Sequence, residues 1–428
     1  MTCEIHLDPT KRHDFVLLFD VENANPNGDP DAGNLPRVDP ETMCGFTTDV
    51  SIKRKVRDYL QLTYGTRIFI QSETALNRLI FEGAEAAGAK LPKVTLDDAK
   101  KEDRLLKEFL SYREIENIEI EDGDVRYVGE SFKKAEINKA LKSDVIELTE
   151  DDVKAVADAL VESEDVDYKA KPPTKQDIEI ALKSLADNLC ASVGGKKGLE
   201  NKDKNNTRMK MIETYFDIRM FGAVLSTGLN AGQVRGPVQL TFAKSLDPIY
   251  RMDCGITRKA VTREADRKRK ENEMGRKPII SYGLYRGFGF YSPYLAQKTP
   301  QTKLISDNIF VTKDDLKYLW EALWKGFDND HSACRHIKPR GVYVFTHSNA
   351  RGNAPSHRLF DMLKIALKKE LQDEGRAPSQ FSDYDKNLPS ESLNIGTETV
   401  RIIPAEEITA DSAIPENAVV FTKVYFED

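Results

Sequence analysis

Apolar residues occur along this chain in short runs that polar, turn-forming stretches separate. Residues 14–22 (DFVLLFDVE) form such a run and predict a buried strand. Thr48 is suited to an N-cap, and Ile52, Val56 and Leu60 follow it at helical spacing, which predicts an amphipathic helix. The same criteria predict further strands over residues 67–71, 215–225, 232–242, 281–296, 341–346 and 417–426, and helices over 314–327 and 356–371. Strands and helices alternate without a strict repeat, so we expect an α+β fold.

The stretch 83–205 differs in composition from the rest of the chain. Charged, helix-forming residues dominate it, as in residues 100–116 (KKEDRLLKEFLSYREIE). Around its end, residues 194–206 (GGKKGLENKDKNN) have the composition of a flexible linker. We therefore predict a body formed by residues 1–82 and 206–428, and an inserted, acidic, mainly helical module over residues 83–205.

The distribution of charge changes the first impression of an acidic protein. The formal net charge is −7, which by itself disfavours nucleic acid as a partner. Residues 83–170 carry a net charge of −10 and residues 370–428 one of −9, whereas the remaining residues carry +12. A phosphate backbone responds to the local potential, so the basic body is a candidate binder of nucleic acid.

Several classes of protein are disfavoured by the sequence. With 40% hydrophobic residues, the chain has enough apolar material for a sizeable core. No run approaches the ~18 apolar residues of a membrane helix, and residues 1–13 lack the apolar segment of a secretory signal. The five cysteines are scattered and form no CxxC pair, which disfavours a zinc site or a disulfide framework. We expect a protein of the reducing cytoplasm, without membrane contact.

Residues 23–42 (NANPNGDPDAGNLPRVDPET) predict a long loop, because Asn, Pro, Gly and Asp favour turns. The amides of Asn25 and Asn27 and the nearby glycines allow close approach to a phosphate or a ribose. Arg37 is suited to a forked contact with phosphate. The alternative is a purely structural loop whose side chains satisfy its own backbone.

Two further segments are basic. The predicted helix after Thr48 carries Lys53, Arg54 and Arg57, and residues 251–277 hold 10 Lys and Arg against 5 acids, including RKRK at 267–270. Each is either a set of phosphate contacts or a solvated surface. Residues 286–290 (RGFGF) resemble the start of the RNP1 pattern, in which aromatic rings stack on bases, although the match ends there.

Signals for catalysis are few. The six histidines stand in no HExxH-like pattern, and neither a GxSxG motif nor Walker spacing occurs. Asp29, Asp31 and Asp39 are acids of the 23–42 loop that suggest a magnesium-dependent nuclease, but their spacing matches no established carboxylate motif. We expect no catalytic residue, no cofactor and no metal site.

Four blocks of sequence, taken in order, resemble one family. They are residues 19–42 with 47–60, residues 215–249, residues 256–261 with 274–290, and residues 336–360. Together they resemble the CRISPR Cascade backbone subunit of the RAMP superfamily, in its subtype I-C form. The resemblance covers about two-thirds of the chain and leaves out residues 83–205.

The resemblance implies an α+β fold in which a modified RNA-recognition-motif (RRM), ferredoxin-like palm carries inserted helical finger and thumb elements, the thumb at about residues 251–281. It implies a non-catalytic subunit that polymerises head to tail along CRISPR RNA (crRNA), binds the RNA backbone and presents spacer bases to target DNA. The implied partners are crRNA, target DNA through the guide, further copies of this chain, and the large, small and crRNA-processing subunits.

The resemblance also selects candidate RNA contacts. They are Asn25, Asn27, Arg37, Lys53, Arg54, Arg57, Gln233, Arg235, Arg276 and Lys277. Two alternatives stay open. A backbone subunit of type III kind would cleave guide-paired RNA with a loop aspartate, and a scaffold protein would use the acidic stretch 83–205 to bind another protein.

Overall fold

The computed structural model describes residues 4–142, 146–163, 165–259, 273–298, 308–389, 392–408 and 414–426. The chain forms two compact units. The first unit comprises residues 1–68, 219–221 and 236–428, and the second comprises residues 69–218 and 222–235. Residues 83–205 therefore lie entirely within the second unit, which also contains shorter stretches on either side of them.

Strands and helices occur in both units, which confirms the α+β class. The strands are β1 (His13–Ala24), β2 (Gly28–Asp29), β3 (Leu35–Pro36), β4 (Cys44–Thr47), β5 (Lys93–Thr95), β6 (Ile118–Glu121), β7 (Asp124–Tyr127), β8 (Gly222–Leu225), β9 (Gly232–Arg235), β10 (Val238–Leu240), β11 (Ala243–Pro248), β12 (Arg251–Arg258), β13 (Glu273–Tyr291), β14 (Ile337–His347), β15 (Lys364–Leu367), β16 (Tyr384–Asn387), β17 (Leu393–Ile395), β18 (Glu398–Pro404) and β19 (Ala418–Phe426). The helices are α1 (Asp49–Tyr64), α2 (Leu76–Ala86), α3 (Lys101–Tyr112), α4 (Lys134–Ala140), α5 (Glu150–Glu162), α6 (Val166–Ala170), α7 (Lys175–Ser192), α8 (Asn201–Thr214), α9 (Phe216–Phe221), α10 (Lys313–Lys325), α11 (Ser356–Phe360) and α12 (Lys369–Asp373).

One sheet of ten strands organises the first unit. Its order is β17-β18-β19-β14-β1-β13-β11-β4, and β10 and β12 also pair with β13. β1 pairs antiparallel with β13 on one side and with β14 on the other. Along the chain, β1 is followed by α1, β11, β13, α10 and β14, and the four strands of this series lie in the order β11-β13-β1-β14, all antiparallel.

The central strand is buried on both faces, which explains its unbroken apolar run in the sequence. On one face Phe15 makes an edge-on contact with the Trp320 ring of α10, with ring centroids 4.9 Å apart. On the other face Val16 and Leu18 belong to a core that Phe360 of α11 and other residues of the C-terminal part complete. The sheet is therefore covered on both sides in its centre.

The RNP1-like residues 286–290 do not form an open stacking surface. The ring of Phe288 stacks on that of Phe360, with centroids 4.6 Å apart and planes 16° apart. A Cβ placed on Gly289 would lie 2.0 Å from the Phe15 ring. The alternation of Gly and Phe thus reflects close packing in the core, because glycine leaves the space that the neighbouring aromatic rings occupy.

Two strand predictions are wrong. Residues 67–71 form no strand, and the backbone N–H groups of Phe69 and Ile70 instead donate to the buried carboxylate of Asp217, at 2.8 and 3.0 Å. Residues 215–225 are a strand only in their second half, since α9 occupies the first half. A short apolar run that is buried on all sides gives no periodicity to distinguish helix from strand.

Two other local predictions are also wrong. The helix expected over residues 356–371 ends at Phe360, and β15 follows, which pairs with β16. The linker expected over residues 194–206 contains the start of α8. By contrast the N-cap prediction is confirmed, because the Thr48 side chain accepts a hydrogen bond from the Ser51 N–H at the start of α1.

The second unit contains α2 to α8 with two small sheets. β5, β7 and β6 form a three-stranded sheet, and β8 pairs with β9. Two of its helices, α5 and α7, begin with reciprocal capping boxes formed by Thr149 with Asp152 and by Thr174 with Asp177. Within the described parts of the chain, no helix has the length and apolar character needed to cross a membrane.

Candidate nucleic-acid interface

A groove lies on the first unit, where the 23–42 loop meets α1. We call it the N-terminal groove, and its volume is about 1100 Å³. The lining residues are Asn25, Pro26, Asn27, Gly28, Pro30, Asn34, Arg37, Thr48, Val50, Ser51, Arg54, Lys55, Asp58, Lys277, Asp330, Ser332, Ala333, Cys334 and Arg335. Five of the ten candidate contacts from the sequence, namely Asn25, Asn27, Arg37, Arg54 and Lys277, thus line one cavity.

The amides of the loop fix its shape. The Asn27 Oδ1 atom accepts hydrogen bonds from the Thr48 N–H and Oγ1 at 3.1 and 3.0 Å, which ties the loop to the start of α1. The Asn25 Nδ2 donates to the Asn34 carbonyl at 2.8 Å, and Asn34 adopts φ 64°. These amides therefore have the structural role that the sequence left open as an alternative. Their contacts hold one wall of the groove in place.

Arg37 presents its guanidinium to the groove from a fixed backbone. Its carbonyl accepts a hydrogen bond from the Phe46 N–H at 3.0 Å. Its Nη1 lies 3.5 Å from Asp29 Oδ2, and among the described residues its buried Nε has no hydrogen-bond partner. The side chain therefore keeps a donor that is not committed within the described protein.

Helix α1 directs its cations to two different sides. Arg54 and Lys55 line the groove, and Arg54 lies 2.7 Å from Asp58 one turn later. Lys53 and Arg57 instead lie over the ring of Phe221, with the cations 5.7 and 5.5 Å from its centroid. Arg57 is 7% exposed. The helix thus brings only Arg54, of its three candidate contacts, into the groove.

Two groove cations, Lys55 and Arg335, were not among the contacts selected from the sequence. Lys55 Nζ lies 2.5 Å from Asp330 Oδ2, and Arg335 Nη1 lies 2.7 Å from Asp330 Oδ1. Burial opposes ionisation of Asp330, but the hydrogen bond and charge of Lys55, together with Arg335, lower its pKa below the ordinary value. The basic run of α1 could have predicted Lys55 as a contact, since Lys55 is part of that run. No local sequence pattern predicts Arg335 as a contact.

The β12–β13 hairpin contributes one cation to the groove. Lys277 lines it, whereas the adjacent Arg276 is 81% exposed and lies 3.2 Å from Asp253. Neighbouring residues of a strand point to opposite faces, which separates the two. The basic residues 267–270, also named from the sequence, lie outside the described residues.

Gln233 and Arg235 lie on β9, in the second unit. Both are exposed, on a strand that pairs with β8. They are not part of the groove lining.

The charge of the groove suits a polyanion. Its lining carries five cations, from Arg37, Arg54, Lys55, Lys277 and Arg335, against the carboxylates of Asp58 and Asp330. The net charge of the lining is therefore +3. Grooves lined with Arg and Lys can hold a sugar–phosphate backbone without reading its bases.

The loop aspartates serve the loop itself. Asp29 accepts a hydrogen bond from the Asp31 N–H at 3.2 Å, and Asp39 accepts one from the Glu41 N–H at 3.1 Å. The latter bond lowers the pKa of Asp39. Within the part of the chain that the structure describes, no group of three or more His, Cys, Asp or Glu side chains is arranged to hold a metal ion.

Comparison with known proteins gives three kinds of match. The family model described as "CRISPR-associated protein Cas7" matches residues 11–146 and 138–389. A curated CRISPR-associated protein Cas7 of Haloferax volcanii is 46% identical over 50 residues, which is 12% of this chain and 15% of that protein. The chain thus spans a small part of that relative's length.

The structural matches are distant. A chain of a solved "CRISPR RNA-guided surveillance complex, pre-nicking" aligns over 78% of this chain and 78% of its own length, at 14% identity and a TM-score of 0.40. A chain of a second CRISPR RNA-guided surveillance complex aligns over 78% and 75%, at 12% identity and a TM-score of 0.31.

Proposed function

This chain belongs to the family of CRISPR-associated protein Cas7, and on that premise we propose that it is a non-catalytic backbone subunit of a CRISPR surveillance complex, of subtype I-C. Copies of the chain polymerise head to tail along crRNA. Each copy holds the RNA backbone and leaves spacer bases free to pair with target DNA. Sequence is then read by base pairing, while the protein supplies positioning contacts.

The N-terminal groove is the observation that carries this proposal. It collects Arg37, Arg54, Lys55, Lys277 and Arg335 from four separate parts of the chain. A single-stranded RNA backbone is a partner that matches a net positive lining of this kind, because each of its phosphates carries a negative charge. Binding to phosphates also requires no metal and no nucleophile, in keeping with a non-catalytic role.

The strand order of the first unit supports the idea of a modified RRM palm. The series of β1, α1, β11, β13, α10 and β14, with spatial order β11-β13-β1-β14, follows the split βαβ pattern of ferredoxin-like folds. In this proposal the β12–β13 hairpin belongs to the thumb, at about residues 251–281. The inserted acidic module 83–205 belongs to the second unit.

Contacts outside the groove complete the proposal. Exposed Gln233, Arg235 and Arg276 are suited to contacts with RNA or with the target strand. Lys53 and Arg57 act through α1 as supports of its groove-facing side, since both lie over Phe221. The large, small and crRNA-processing subunits are the other proposed partners.

Purification with the natural partner subunits tests the proposal. Absorbance at 260 and 280 nm is followed while the salt concentration is raised, and the released nucleic acid is sequenced. Repeat–spacer RNA that dissociates as salt rises is the expected result. An assembly that forms without RNA refutes the proposal and favours a protein scaffold.

The same preparation distinguishes the proposed non-catalytic role from the nuclease alternative. Labelled RNA complementary to the bound guide is incubated with the complex and Mg²⁺. Intact RNA is expected. Metal-dependent cleavage that Asp29→Asn or Asp39→Asn abolishes would contradict the non-catalytic role.

A further inference from the structure

A second basic surface lies on the large sheet of the first unit, near the edge that β4 forms. In an antiparallel pair, residues directly opposite each other point to the same face of the sheet. Lys244 of β11 lies opposite Arg286 of β13 on one side and opposite Phe46 of β4 on the other. These three side chains form a row across three strands that are about 5 Å apart, and we call this row the edge surface. None of the three lines the N-terminal groove.

The two cations of the edge surface have no acidic partner in contact with them. Among the described residues, neither the Lys244 ammonium nor the Arg286 guanidinium forms a hydrogen bond or an ion pair. Arg286 lies over the Phe288 ring, 5.3 Å from its centroid. Asp39 acts on Lys244, and Asp361 on Arg286, only at longer range than an ion pair. Like charges directly opposite each other on two strands are destabilising, and an anion held between them would offset this repulsion.

Arg286 is the more constrained of the two cations. It is partly buried, whereas Lys244 is exposed. Burial lowers the pKa of Arg286, and the negative charge of Asp361 opposes this effect. Arginine nevertheless stays protonated in proteins, so the guanidinium remains a planar fork of N–H donors that suits two oxygens of a phosphate.

Two parallel aromatic rings lie beside these cations. The ring of Phe46 stacks on that of Phe242, with centroids 5.9 Å apart and planes 4° apart. Phe242 is 49% exposed, so its ring offers an apolar surface to a ligand. Surfaces that bind single-stranded nucleic acid combine cations for the phosphates with aromatic rings on which the bases stack. The edge surface has both components within the span of a few neighbouring residues.

We propose that the edge surface binds one nucleotide of a single-stranded nucleic acid, with its phosphate between Lys244 and Arg286 and its base on the ring of Phe242. The phosphate oxygens accept the N–H donors that neither cation uses within the described protein. Such contacts read neither the base sequence nor the 2′-hydroxyl, so RNA and DNA should bind alike. The site lies outside the N-terminal groove and does not depend on the role proposed for that groove.

Photochemical cross-linking of the nuclease-treated full chain tests the proposal. The probes are short oligonucleotides of uridylate and of thymidylate that carry one iodouracil, which on irradiation couples to an aromatic ring in contact with it. Peptide mapping should place the cross-link at Phe242 with both probes. The yield of this cross-link as a function of probe concentration gives the affinity of the edge surface separately from that of the groove.

Two variants and a matched control test the roles of the cations. Lys244→Gln/Arg286→Gln should weaken the affinity measured at Phe242 at least about tenfold, since a hydrogen bond to a charged group contributes about that much. Lys244→Gln alone should also weaken it, and its unfolding temperature should not fall, because the change relieves the repulsion between the cations. The control, Lys313→Gln/Lys317→Gln, removes two exposed cations of α10, on the opposite face of the sheet, and should leave the affinity unchanged.

The outcome of this test is separable from that of the groove. A chain with Arg54→Gln/Lys277→Gln should keep the cross-link at Phe242, even if the groove itself proves not to bind RNA. In the assembled complex, iodouracil placed first in the guide RNA and then in the DNA identifies which strand occupies the site. Absence of the cross-link from the isolated chain or from the complex overturns the proposal, and so does a double variant at Lys244 and Arg286 that binds as tightly as the control variant.

Discussion

Removing three cations from the N-terminal groove should change how RNA binding responds to salt. The variant is Arg54→Gln/Lys277→Gln/Arg335→Gln, which leaves Arg37 and Lys55 in the lining. Arg54 and Arg335 are 45% and 61% exposed, and exposed ion pairs contribute only about 0–1 kcal/mol each, so the fold should persist. Asp330 keeps its contact with Lys55 after Arg335 is replaced.

The magnitude follows from counting phosphate contacts. Each cation that neutralises a phosphate of single-stranded RNA contributes about −0.7 to the slope of log K against log salt, so five give about −3.5 and two give about −1.4. Raising the salt about fourfold should then weaken binding about 130-fold in the unmodified chain and only about 7-fold in the variant. The change in slope is more diagnostic than the change in affinity, because it counts contacts directly.

Fluorescence anisotropy of a labelled single-stranded RNA, measured over a series of salt concentrations, gives the slope. The matched control is Arg351→Gln/Arg358→Gln/Lys364→Gln, which removes three exposed cations of the same unit outside the groove. Its slope should equal that of the unmodified chain. Two RNAs of unrelated sequence should give the same slopes, since backbone contacts do not read bases.

Two results would refute this reasoning. If the groove variant keeps the full slope, the RNA does not run along this groove. If the control loses as much slope as the groove variant, binding depends on the overall charge of the unit and the geometry of the groove is irrelevant.

Three further predictions test the fold that holds the groove. Burial lowers the pKa of His13 to about 3, so as pH falls from about 7 to about 5 the unfolded chain binds a proton at this position that the folded chain does not bind. Over this pH range, urea denaturation should therefore show a loss of stability that is about 2 kcal/mol smaller in His13→Gln than in the unmodified chain. Arg340→Met should lower the free energy of unfolding by about 3–5 kcal/mol in the same assay, because it removes the cation 2.9 Å from the buried Asp20 carboxylate. Adding Asp20→Asn should recover part of this loss, because it removes the buried charge that Arg340→Met leaves unpaired. In thermal unfolding, Gly289→Ala should destabilise the protein by at least about 2 kcal/mol, since the new Cβ would lie 2.0 Å from the Phe15 ring. Gly287→Ala should cost about 1 kcal/mol less, since its Cβ would lie 3.2 Å from Ala243. Equal effects would contradict the packing described for this strand.

Local sequence predicted two elements of the first unit, the central strand β1 and the amphipathic helix α1. The run at residues 14–22 is apolar without interruption from Phe15 to Phe19, and it lies in the central strand β1. Thr48 and the spacing of Ile52, Val56 and Leu60 predicted α1, and all three apolar residues are buried. In both cases the pattern that determines burial lies within a few consecutive turns or residues, so it is visible without tertiary information.

Elements that depend on distant partners were not predictable in the same way. Residues 364–367 follow a helix and contain good helix formers, yet they form β15 because β16 pairs with them and Ile365 is buried in the core. The groove shows the same limit. Arg37 and Arg54 stood out in the sequence, but Lys55 meets Asp330 across 275 residues, and Arg335 contacts the same Asp330. Side chains that act together without being near in sequence leave no local pattern.

The length of β13 has a mechanical consequence. From Ile280 to Tyr291 the strand is held within the sheet by β1, but from Glu273 to Ile279 the described pairing is with β12 alone. This outer part is about 23 Å long at the usual rise of a strand. It joins the large sheet at one end, and it carries Lys277. Two-stranded ribbons are marginally stable by themselves. Amide hydrogen exchange should therefore be much faster from Glu273 to Ile279 than from Ile280 to Tyr291. We therefore expect the outer part of β13, which carries Lys277, to be more mobile than the base of the same strand.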